Sequence, residues 1–146
     1  MSSNTKPRSL RQPTSRALSK AQLLPMSQRD ASSLALRTRI ALERLRNGEA
    51  GRSLFNHMSQ IVFITGYITR AGFGRLDIQD IDSVERNLGE VLDEADRTGE
   101  WKIPESLISA LTTVVNEYDR QLATTRVEII ARASEHLERH MKLAAT

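Results

Sequence analysis

Three histidines are the residues of this sequence best suited to chemistry near neutral pH. His136 and His140 stand one helical turn apart, a spacing that puts both imidazoles on one face and suits a metal. The residues between them are Leu137, Glu138 and Arg139. One zinc-protease pattern needs Glu directly after the first His and the inverted pattern needs Glu directly before the second, so both fail. Di-iron bundles place Glu three residues ahead of His, where this chain has Leu54, Ala133 and Leu137. His136 and His140 are therefore expected as a solvated flank of the last helix. His57, in the apolar arc of another helix, is expected as a partly buried imidazole hydrogen-bonded to a neighbour.

The second candidate is an acidic stretch, Asp77 to Glu105, with ten acids against Arg86, Arg97 and Lys102. A calcium loop needs alternating oxygen ligands around a central Gly, but Asp77-Ile78-Gln79-Asp80-Ile81-Asp82 interleaves apolar residues and has no such Gly. The stretch reads as a solvated acidic face, and Asp77, Asp80, Asp82, Glu85, Glu90 and Asp93 are the candidate docking residues for a basic protein partner. The glycines form neither a phosphate loop nor a dinucleotide fingerprint. With no cysteine, disulfides, thiolate metal sites and cysteine nucleophiles are excluded. No catalytic residue, metal ligand or cofactor site is assigned, and no cofactor is expected.

The elements that would position these residues are helices. Ser27 or Asp30 can cap a first helix that ends before Gly48, with Leu34, Ala41 and Leu45 inward and Leu36 and Ile40 beside them. A second helix is expected from after Ser53 to before Gly72. Leu54, Met58, Ile61, Val62, Ile64, Tyr67, Ile68 and Ala71 surround most of it, which marks a central helix, and Asn56, Ser59, Gly66 and Arg70 form a narrow polar stripe. Residues 61–65 also suit a strand by propensity, but no second window offers a partner. Asp80 or Asp82 should open a third helix, with Asp82 and Glu85 as a capping box and Ile81, Val84, Leu88, Val91 and Ala95 on its inner face. Gly99 stops it, and Pro104 is expected as the first residue of a fourth. The stripe Ile108, Leu111, Val115, Tyr118 and Leu122 is out of phase with Val127, Ile130, Ser134, Leu137 and Met141. This favours a break near residues 123–125, with Thr125 and Glu128 as a capping box, the alternative being one continuous bent helix of roughly 39 residues. The fold class is thus all-α, a four- or five-helix bundle over residues 27–146.

Residues 1–26 are rich in Ser, Pro, Arg and Gln and are expected to form a disordered basic tail, from which Leu23-Leu24-Pro25-Met26 could dock as an extended strap. The isoelectric point is about 9.7, but the charge is unevenly placed. Lys6, Arg8, Arg11, Arg16, Lys20 and Arg29 precede every acid. Removing those six from the 21 basic residues leaves 15 against 18 acids, so the rest of the chain is acidic. The six cations are the candidate nucleic-acid contacts. They can follow a phosphate backbone without reading bases. A helix-turn-helix across Gly72-Phe73-Gly74 would aim Asp77, Asp80, Asp82 and Glu85 at DNA, which repels them. Aromatic residues make up 4% of the 146 residues, so the core is aliphatic. No apolar run approaches the roughly 18 residues of a membrane span. A cytoplasmic location is expected.

Leu18 to Leu23, Leu24-Pro25, Ala41 through Gly48, Arg97-Thr98-Gly99-Glu100-Trp101 and Tyr118-Asp119, in that order, resemble a set of small proteobacterial helical proteins of unknown function. These are carried by phages, plasmids or genomic islands, and some are labelled Fis-type regulators. The chain departs from true Fis in lacking a basic C-terminal helix-turn-helix. The resemblance implies an accessory or counter-defence role in a mobile element. The expected function is a non-enzymatic helical interaction protein with a protein partner, homo-oligomerisation being open. The alternative is a regulator touching DNA through its basic tail, and a small hydrolase or metalloenzyme comes third.

Overall fold

The computed structural model describes residues 20–144, with side chains through Leu143. Five helices follow a short 3-10 turn at Lys20–Leu23. They are α1 (Gln28–Arg46), α2 (Arg52–Ile68), α3 (Ile78–Thr98), α4 (Glu105–Thr124) and α5 (Val127–Ala144). The 61–65 segment lies inside α2, and no strand occurs among the described residues. None of the helices is long and apolar enough to cross a membrane.

α2 is the central element and packs against all four other helices, while α1 and α3 also pack on α4. Its buried residues Phe55, Met58, Ile61, Val62, Thr65, Gly66 and Ile68 point in several directions, as expected for a helix with neighbours on most sides. The largest apolar cluster joins it to Leu42 and Leu45 of α1, Ile81, Val84 and Leu88 of α3, and Leu111 and Val115 of α4. A smaller seam of Ile68, Ile129 and Ala133 holds α5. On α1, Leu36 and Ile40 are not beside the core but face solvent, 59% and 52% exposed.

The helix ends follow from their residues, with several corrections. Ser27 caps α1, its Oγ accepting from the Asp30 N–H at 3.1 Å. α2 begins at Arg52 and gives way at Ile68 to a π turn, Thr69–Phe73, which closes at Gly72 with φ +98°. Gly74 then passes so close to Thr69 that a Cβ there would lie 2.6 Å from the threonine Cβ. α3 is capped by Asp77, whose Oδ1 accepts from the Gln79 N–H at 2.9 Å, rather than by Asp80 or Asp82. Asp82 instead pairs with Arg70. Pro104 is the cap of α4, not its first turn: ψ is 146°, and its carbonyl accepts from Leu107 and Ile108 at 3.0 and 3.2 Å.

The break between α4 and α5 falls at Thr125, but the predicted capping box does not form. The Thr125 hydroxyl is buried without a hydrogen-bond partner, and Glu128 pairs with Arg126 and Arg132 at 3.4 and 3.8 Å. The free amide of Val127 is taken by the carbonyl of Leu24 at 3.0 Å. The segment before α1 therefore acts as a strap: Pro25 bridges Arg126, and Met26 packs on Ala31, Ile61, Tyr118 and Leu122. Residues 20–26 belong to the folded body. The expectation of disorder for residues 1–19 lies outside the described residues.

Candidate functional site

The inner stripe of α3 packs on α2, while α5 packs on another side of α2 through its N-terminal half. Between α3 and α5 this leaves an open groove of about 800 Å³. Its floor carries Asn56, Ser59, Gln60 and Phe63 of α2, which includes part of the polar stripe legible in the sequence. Leu88 and Leu92 form the α3 wall, Leu137 and Met141 the α5 wall, and Gly89 lies open between the two leucines with nothing within 4 Å of a would-be Cβ. Met141 is 49% exposed and accepts a long contact at 3.8 Å from Gln60 Nε2. Arg52 closes one end, paired with Asp96 and lying 5.9 Å from the Trp101 ring centre.

Glu85 and His140 are the titratable groups inside the groove, beside Arg52. Burial raises the Glu85 carboxyl above its ordinary pKa, Arg70 pulls it down, Asp82 pushes it up again, and His140 opposes. No cation lies within ion-pair distance of Glu85 among the described residues. His140 stacks on Phe63 with ring centres 5.5 Å apart, and one turn earlier His136 lies 4.8 Å from the Tyr67 ring. Both histidines are exposed, as expected, but each spends one face on an aromatic of α2. The matching signal was present in the sequence, since Phe63 and Tyr67 repeat the four-residue spacing of His136 and His140.

His57 is half-buried and within 3.2 Å of Thr38 Oγ1, so the expected hydrogen bond is present. Burial and then Arg37 lower its pKa. A hydroxyl beside an imidazole is also how a nucleophile and base are arranged. Here the hydroxyl belongs to Thr38, 1% exposed, and Tyr118 bonds to the same side chain. That hydroxyl is enclosed by its neighbours and not open to solvent. Among the described residues no group of three or more His, Asp or Glu side chains could hold a metal ion.

The six acids expected to form one docking surface divide by role. Asp77 caps α3, Asp82 pairs with Arg70, and Glu85 turns into the groove. Asp80, Glu90 and Asp93 remain exposed and free of ion pairs among the described residues. Of the six cations, Lys20 is exposed on the 3-10 turn and Arg29 on α1. Lys6, Arg8, Arg11 and Arg16 lie outside the described residues.

Sequence reasoning missed Glu117, the most enclosed carboxylate in an ion pair, at 4% side-chain exposure. Its Oε2 accepts from the Arg75 N–H at 2.5 Å and from Arg120 Nη2 at 3.2 Å, and Oε1 accepts from Arg120 Nε at 2.5 Å. Arg120 also donates to the Phe73 carbonyl at 3.0 Å. Together they pin the α2–α3 connection to α4 and so fix one wall of the groove. Comparison with family models, with curated proteins and with solved structures returns no match for the chain.

Proposed function

We propose that this chain is a non-enzymatic interaction protein that receives an amphipathic helix of a protein partner in the groove between α2, α3 and α5. The supporting observation is the pairing of apolar walls, Leu88 and Leu92 facing Leu137 and Met141, with a half-buried carboxylate, Glu85, that forms no ion pair among the described residues although Arg70 and His140 act on it from farther off. Helix-in-groove recognition uses apolar residues repeating at three and four, with flanking charge setting orientation. A partner helix with basic flanks fits, because Glu85 and the exposed acids of α3 favour it. The resemblance stated above supplies the biological setting for this reading, an accessory or counter-defence factor of a mobile element.

The test blocks the groove without disturbing the core. Gly89→Gln fills open space at a helical position where glycine is itself unfavourable, and Met141→Asp puts a charge on an exposed wall. Proteins captured from the native host by the intact chain should be lost by both variants. Equal capture by all three would overturn the groove as the binding site, and Asp80, Glu90 and Asp93 would be mutated next.

A further inference from the structure

We infer that the helix received by the groove is α1 of a second copy of this chain, so that the protein assembles head to tail; this rests on the groove being a helix-binding site. α1 presents Arg29, Ser33, Leu36, Ile40 and Arg44 at steps of four, three, four and four, which is one helical face, and all five are exposed. Leu36 and Ile40 are two of the most exposed large aliphatic side chains among the described residues. Two such residues one turn apart form an apolar strip on the outer face of α1, of the kind a neighbouring copy would cover.

Charge and length agree with this occupant. Arg29 lies about two turns before the apolar pair and Arg37 beside it on the same helix, both exposed, and neither makes an ion pair among the described residues. The groove offers Glu85, and the α3 rim offers Asp93, neither of which forms an ion pair among the described residues. Along α2 the groove runs from Arg52 to Phe63, about 16 Å at 1.5 Å per residue, and Arg29 to Arg44 spans about 22 Å. The apolar pair can therefore sit within the groove while Arg29 reaches past one end; Arg44, at the other end, is held by Glu49 at 2.6 Å. No residue of α1 lines the groove of its own chain, so the two surfaces are distinct. The contact is heterologous and leads to a ring or an open chain rather than a two-fold dimer.

Sedimentation velocity on the intact chain over a concentration series should show growing oligomers that weaken with salt. Ile40→Asp should weaken self-association roughly tenfold or more, since it puts a charge at an apolar contact, and Gly89→Gln should do the same from the other surface. Mixing those two variants leaves one intact α1 face and one intact groove. The mixture should form a dimer and stop there, an outcome that a merely destabilised fold would not give. A monomeric wild type at every concentration, or a mixture that stays monomeric while each variant is folded by circular dichroism, would overturn self-assembly. If groove-dependent capture of another protein survives in either case, the groove reading stands and only the identity of the occupant falls.

Discussion

Replacing Glu117 by Gln tests whether one buried carboxylate holds the α2–α3 connection in place. Three hydrogen bonds converge on its two oxygens, two from Arg120 and one from the Arg75 amide, and the Leu76 amide adds a weaker pull. A hydrogen bond to a charged group contributes about 1.5–3 kcal/mol. The amide keeps one acceptor oxygen but turns an NH2 toward a remaining donor, so Glu117→Gln should cost about 2–3 kcal/mol. Glu117→Ala leaves the guanidinium without its carboxylate and should cost about 3–5 kcal/mol, toward the lower end because Arg120 is itself partly exposed. The pH dependence adds a second reading. Burial works to raise this carboxyl, but the bonds from Arg120, Arg75 and Leu76 outweigh it and hold the folded pKa below the ordinary 4.5. A depressed folded pKa gives stabilisation that is complete above about 4.5 and is lost as pH falls through the folded value. Urea unfolding followed by circular dichroism from about pH 7 to about pH 3 should show that loss in the wild type and a smaller one in Glu117→Gln. A variant within about 0.5 kcal/mol of wild type at neutral pH, with an unchanged acid slope, would refute the anchoring role.

Three further outcomes are expected. Thr125→Val should be neutral or stabilising by up to about 1 kcal/mol, because it removes a buried hydroxyl with no partner; a loss of about 1 kcal/mol in thermal or urea unfolding would restore the threonine cap. Ile61→Ala and Ile68→Ala should each cost about 2–5 kcal/mol, with Ile68, fully buried, toward the upper end; near-neutral midpoints would count against α2 as the central helix. On duplex DNA across a salt series, a chain that kept all six early cations in phosphate contact would show a slope of log affinity against log salt of about −5 without sequence preference. Chains starting at Lys20 and at Ser27 should lose most of that binding, and sequence-selective binding by either would contradict a helical body that does not read DNA.

The inner face of α3 was legible because Ile81, Val84, Leu88, Val91 and Ala95 keep a strict three-and-four rhythm, and all five are buried. The start of that helix was not, since Asp77, Asp80 and Asp82 are equal candidates by chemistry. Arg70, brought close by the π turn, engages Asp82, and the Glu117 anchor fixes the chain just ahead of Asp77. The Thr125 box failed for a similar reason: Leu24, a hundred residues earlier, supplies the acceptor that the cap would have supplied. Position 36 and position 40 show the limit of periodicity on α1, where an apolar residue beside the core stripe can as readily face water. The groove could not be read at all, because its width depends on how α3 and α5 each pack on α2.

That dependence bears on how the groove would respond to an occupant. α5 is seated through Ile129, Ile130 and Ala133 near its beginning, where the strap also holds Val127. Its later half, which forms the groove wall, rests on α2 through the rings of His136 and His140 and through partly exposed Leu137 and Met141. Ring contacts of this kind contribute about 0.5–1.5 kcal/mol each, less than the burial of one Ile in the seam near the helix start. The wall formed by α5 is therefore the weaker one, and the wall formed by α3, tied to α4 through the Glu117 anchor at its head, is the firmer. An incoming helix would displace the later turns of α5 before it displaced α3. Exchange protection of amides 137–143 should rise on binding, while amides 84–92 change little.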